Sequence, residues 1–157
     1  MKILSVSAFV GALGCALTAG VLFAFSVAIM PGLRRLPVPQ AITSMNAFND
    51  AILNPVFLLA FLVSSAASLG LAVSAPFTWH HHGAIWRLVG GALFFIGVFV
   101  VTMAINVALN DSLAAVDPQS AEGARVWDHY QITWTIWNDI RTLLGVAGAG
   151  ALIRSLL

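Results

Sequence analysis

Charge is what this chain has least of. Only 8% of its 157 residues are Asp, Glu, Lys or Arg against 60% hydrophobic, and Ile3 to Leu33 contains no charged side chain at all. That balance excludes a soluble domain, which would be left with far more apolar surface than water tolerates. A net charge of +1 supplies no basic surface, so no nucleic-acid partner is expected. Cysteine is nearly absent as well: Cys15 stands alone, and an internal disulfide is excluded. No Gly-rich phosphate loop, no pair of intramembrane histidines for a haem and no nucleophile triad can be read, so no cofactor is expected.

What the chain has instead is hydrophobic length. Spans are expected over about 3–29, 55–77, 88–110 and 134–153 of a single domain covering 1–157. In hydrocarbon each stretch must satisfy its own backbone, and roughly 20 apolar residues reach across. The expected fold is therefore all-α: an integral membrane antiparallel four-helix bundle, with a short interfacial helix between spans one and two. The first run is too long for a secretory signal, continuing more than a dozen residues past Cys15, and is read as an uncleaved span.

Helix breakers and charges organise the remainder. Span one is expected to stop at Met30-Pro31-Gly32, a helix to restart near Pro39, and Asn54 to cap the helix that Pro55 begins. Trp79 and Trp86 mark one edge of the bilayer. The small residues Ser64 to Ser68 permit close helix approach, and a homo-oligomer is left open. With four spans both termini and the His80-His81-His82 loop share one side, while every carboxylate falls on the other or in the helices leading to it. Cytoplasmic termini are favoured because the terminal side carries no acid, although Lys and Arg divide almost evenly between the sides. The three histidines are consecutive on a loop, without the spacing of a preorganised metal site, and are read as solvated; no metal is expected.

The polar residues that enter the spans gather toward the carboxylate side. On the last helix Trp127, Tyr130, Trp134, Trp137, Asn138 and Arg141 form one aromatic and cationic stripe, continued by Gly145 and Gly148. Asn106 and Asn110 are i and i+4 on span three, with Thr102 one turn back. Asn46, Asp50 and Asn54 recur at i+4 before span two, and span one adds Ser26 and Met30. An embedded Arg is costly unless paired or hydrated, so these groups point to a polar cavity in one half of the bundle. Intramembrane Asn and Arg can also serve only to tie helices together, and belt aromatics only to anchor them.

Four of these segments, in order, carry a resemblance: Phe25-Ser26 leading to Met30-Pro31-Gly32-Leu33, Met45-Asn46 through Asn54-Pro55, Asn106-Val107-Ala108-Leu109-Asn110, and Trp134 to Arg141 with Trp137-Asn138. Together they resemble the anthrone oxygenase-like family of small four-span membrane proteins, over nearly the whole chain. Similar proteins often have proline between the two asparagines, where this chain has Ala108. The resemblance implies oxidation of an anthrone- or quinol-like aromatic by molecular oxygen without an obvious cofactor, in a bacterial inner membrane. It implies Asp50 as base, with Arg141, Asn106 and Asn110 stabilising negative charge. Tyr130, Trp134, Trp137, Asn138, Asn46 and Met30 are the expected substrate-binding residues, and a hydrophobic aromatic and the lipid bilayer the expected partners. The alternative is a non-catalytic binding or transport module for such a molecule, which needs the same pocket but no base.

Overall fold

A computed structural model describes residues 2–157. Five helices account for nearly all of them: α1 (Lys2–Leu33), α2 (Val38–Ile52), α3 (Pro55–Ser74), α4 (Ala84–Ala114) and α5 (Ala121–Arg154). No strand occurs among the described residues. The all-α expectation holds, with the amendment that there are five helices and not simply four in a bundle. The four long ones pack in the ring α1–α3–α4–α5, and α2 lies against α4 and α5 at one end. α1, α3 and α4 are long and apolar enough to cross a membrane. α5 is the longest, but Glu122, Arg125, Asp128, Asp139 and Arg141 along it dilute its hydropathy.

Neighbours in the ring run antiparallel, as two pairs along each seam require. Gly11 approaches Leu71 and Cys15 meets Ser68 between α1 and α3, while Ser68 approaches Gly91 and Phe61 meets Phe99 between α3 and α4. Gly90 approaches Gly148 and Thr102 meets Arg141 between α4 and α5, while Ala19 approaches Gly145 and Leu22 meets Asn138 between α1 and α5. Close approach rests on small residues. A Cβ on Gly90 of α4 would come within 2.9 Å of the Gly148 carbonyl oxygen on α5, whereas one on Gly20 would meet nothing within 4 Å. Gly90→Val is therefore expected to cost about 1–3 kcal/mol by overpacking, seen as a lower melting temperature in detergent. Gly20→Val should leave melting nearly unchanged.

Helix ends follow local chemistry. Asn54 Oδ1 accepts from the N–H groups of Val56 (3.1 Å) and Phe57 (3.0 Å), capping α3 as its position before Pro55 requires. Ser120 caps α5 through Gly123 N–H at 2.9 Å. The expected stop of the first helix at Pro31 does not occur, and α1 runs on to Leu33. The reason is a π turn over Phe25–Ile29, in which Met30 N–H reaches back to Phe25 O. The wider turn relieves the clash between a proline ring and the preceding turn.

At the end where the chain starts and finishes, Gly83 takes a left-handed φ of 79° and packs against Ser155. Arg87, 5% exposed, donates to His82 O and to Thr78 Oγ1, each at 3.1 Å, and so binds the histidine loop down over the bundle. His80, His81 and His82 are themselves exposed. The opposite end is where α2 lies and where the bundle opens.

Candidate active site

Near α2, side chains from all five helices surround a cavity of about 740 Å³. This lies within the range of small-molecule sites, roughly 300–1,000 Å³. Its apolar walls include Val21, Leu22, Phe25, Phe57, Phe61 and Phe99, and its polar groups are Asn46, Asn49, Thr102, Asn106, Asn110 and Arg141. Asp50 and Asp111 stand at its exposed mouth. A shallower groove outside, between α1 and α5, is lined by Ala16, Gly20, Val146 and Gly150 and offers no reactive group.

Arg141 forms part of the cavity floor and is only 4% exposed. Its Nη1 donates to Thr102 Oγ1 at 2.9 Å and its Nη2 to Asn138 Oδ1 at 2.8 Å, while Nε has no partner. The guanidinium carbon lies 5.6 Å from the centre of the Trp134 ring, a cation–π contact. Thr102 is thus the residue of another helix that Arg141 bonds. No carboxylate pairs with it; among the described residues the single ion pair joins Arg125 to Glu122 at 3.4 Å. A buried cation without a counter-charge costs several kcal/mol, roughly, and is retained where its charge is used.

Backbone irregularity aims these groups. Two π turns in α4, Phe95–Val100 and Thr102–Asn106, lie directly beside Arg141, and the π turn of α1 lies opposite. π turns break the i−4 ladder and leave carbonyls free. Leu22 O, just before the α1 turn, accepts Asn138 Nδ2 at 2.7 Å, and the same nitrogen contacts Ser26 Oγ at 2.7 Å. Asn138 is thereby fixed so that its oxygen faces Arg141. Thr102 in turn donates to Val98 O at 2.6 Å, which leaves its oxygen to accept from the guanidinium.

The asparagines divide into satisfied and bare. Asn110 Oδ1 accepts from Tyr130 Oη and from Trp134 Nε1, both at 2.9 Å, so its amide nitrogen is the end left to offer. Asn106 is 2% exposed and neither end of its amide has a partner. Asn46 Oδ1 and Asn49 Nδ2 on α2 are likewise bare. Buried polar groups are nearly always hydrogen-bonded. Bare donors and acceptors around one cavity are therefore complementary to a ligand carrying both, or to ordered water.

Of the residues expected from sequence, Asp50, Asn46, Asn106, Asn110, Trp134 and Arg141 all line the cavity. Four do not. Tyr130 is fully buried, stacked between Trp127 and Trp134, and reaches the cavity only indirectly, through residues such as Asn110 and Trp134. Asn138 is fully buried behind Arg141. Met30 belongs to the core formed with Ile42, Met45 and Trp127. Trp137 is half-buried and absent from the cavity wall, because it lies roughly 60° around the helix from Trp134. The aromatic wall that replaces it, Phe25, Phe57, Phe61 and Phe99, was not singled out by periodicity. In spans apolar on every side, cavity-facing and lipid-facing phenylalanines read alike. Asn49 was missed although it is i+3 from Asn46, and Asp111 although it follows Asn110 directly. Asn54 belongs to the cap, not the cavity.

Among the described residues no three histidine, cysteine, aspartate or glutamate side chains converge as a metal site. The protein family described as anthrone oxygenase matches residues 44–151, from α2 through most of α5. No curated protein and no solved structure matches the chain.

Proposed function

Because the chain belongs to the anthrone oxygenase family, we propose that it is a membrane enzyme oxidising an anthrone- or quinol-like aromatic with molecular oxygen in this cavity. The observation that carries the reading is Arg141: a buried guanidinium with no protein counter-ion, at the floor of an aromatic-walled cavity large enough for a fused-ring molecule. The missing counter-ion is the substrate's own anion. Asp50 at the mouth takes a proton from the methylene carbon of the anthrone. The resulting enolate oxygen is stabilised by Arg141, held in place by Thr102 and Asn138, and by the bare amide of Asn106. The carbanionic carbon then gives its electrons to oxygen and forms a C–O bond. Loss of the second C–H proton with cleavage of the O–O bond leaves the quinone carbonyl and water. One oxygen molecule thus accepts four electrons, one atom entering the product and the other leaving as water.

Phe25, Phe57 and Trp134 supply flat surfaces for the ring system. The test is oxygen uptake by the purified protein with anthrone. The expected result is one oxygen consumed per anthraquinone formed; no uptake above the spontaneous rate, with anthrone still bound, would leave a binding module in place of an enzyme.

All four long helices are proposed to cross the membrane, with the histidine loop and both termini on the cytoplasmic side of a bacterial inner membrane. Single cysteines at positions 82 and 117, in a Cys15→Ser background, should label from opposite faces of oriented vesicles. Labelling of both from one face would refute that topology.

A further inference from the structure

We propose that the cavity is reached sideways from the hydrocarbon of the bilayer, through a gap between α3 and α4 whose lips are Leu58, Leu62, Met103 and Val107. The proposal rests on the reading of the cavity as the site of an apolar aromatic substrate, and adds the route by which that molecule arrives.

The gap follows from where the packing of α3 on α4 ends. The two helices pack closely from Ala84 as far as Val100, and not along Thr102–Ala114. Phe61 and Phe99, with ring centres 5.6 Å apart, meet across the seam where that close packing ends. One turn further along α4 Met103 is 55% exposed, and beside Phe61 on α3 Leu62 is 52% exposed, yet both also line the cavity. Exposed side chains that also line the cavity mark its rim. α3 and α4 are each long and apolar enough to cross a membrane, and Leu62 lies about 10 Å along α3 from Pro55 at 1.5 Å per residue. A hydrocarbon core about 30 Å thick therefore places the gap at the level of acyl chains and not of headgroups.

The chemistry of the two openings separates their traffic. The lips of the gap are four apolar side chains, and the outer faces of α3 beside it, Val56 and Leu59, are exposed and apolar too. The other mouth, near α2, carries Asp50 and Asp111. At the opposite end of the bundle Arg87 ties the histidine loop down over the helices. A fused aromatic concentrates in the bilayer because its transfer from water is favourable in proportion to its apolar area. It meets the apolar gap without passing two carboxylates. The carboxylate mouth serves the proton that Asp50 removes and the water that forms.

The test is the rate of anthrone binding under anaerobic conditions, with the protein in lipid vesicles, followed by quenching of tryptophan emission, to which Trp134 in the cavity contributes. Met103→Tyr and Leu62→Tyr add bulk to the lips at exposed positions, where folding should be preserved. Association and dissociation are both expected to slow about tenfold, so that each rate changes far more than their ratio. Val63→Tyr and Leu59→Tyr, exposed on α3 but outside the gap, should bind at the original rates. Unchanged rates in both lip variants, equal slowing in the flanking variants, or a weakened Kd without slower dissociation would each overturn the lateral route. Absence of any quenching with the unsubstituted protein would instead overturn the anthrone reading on which the route depends.

Discussion

Arg141→Met is expected to lower anthrone-dependent oxygen uptake by about 10²- to 10³-fold, the loss typical when a donor to a developing oxyanion is removed. The same substitution should leave the melting temperature nearly unchanged. Arg141 is 4% exposed and has no carboxylate partner, so the folded protein bears a desolvation cost that no ion pair offsets. Replacing even a buried ion pair by apolar side chains of similar volume is often neutral or stabilising by about 1–4 kcal/mol, and an unpaired charge has no Coulombic gain to lose. Against this stands the loss of the hydrogen bonds to Thr102 and Asn138. Thr102 keeps Val98 O as its partner, but the buried Oδ1 of Asn138 loses its one donor, at a cost of about 1–3 kcal/mol that offsets the gain. Stability kept while turnover is lost is the pattern of a group retained for function. A large drop in melting temperature would mark Arg141 as a structural tie.

Asp50→Asn is expected to lower turnover by about 10²- to 10⁴-fold, the usual contribution of a positioned base, with little change in anthrone affinity. The substitution keeps the shape of an exposed side chain at the mouth and removes only its ability to take a proton. Asp111 lines the same mouth, so Asp111→Asn is the natural comparison. If turnover follows Asp111 and is indifferent to Asp50, the base has been assigned to the wrong carboxylate. Parallel steady-state oxygen uptake and anaerobic binding measurements on both variants decide the point.

The sequence makes the bundle legible for a simple reason: a bilayer leaves few choices to a chain with so little charge, and the polar residues that persist in its helices stand out against that background. Arg141, Asn106, Asn110 and Trp134 could be placed on inward faces by their 3.6-residue spacing alone, and Asn46 and Asp50 by theirs. Periodicity falters where the helix itself changes pitch. The π turns over Phe25–Ile29, Phe95–Val100 and Thr102–Asn106 shift register at the cavity floor, which is why α1 passes through Pro31 and why Arg141 meets Thr102 in place of Asn106. Trp137 shows a further limit, since a stripe drawn broadly enough to include it spans more of the helix than the cavity occupies. The phenylalanines of the wall were illegible because hydrophobicity alone cannot separate a ligand-facing face from a lipid-facing one.

The account depends most on the claim that bound substrate supplies the negative charge Arg141 lacks. Its most direct test is the absorption spectrum of anthrone bound anaerobically near neutral pH, where oxidation cannot proceed and the ketone and its enolate anion are distinguishable. With the unsubstituted protein the bound molecule should appear as the anion, and with Arg141→Met as the neutral ketone. Neutral ketone bound equally well by both would contradict the account.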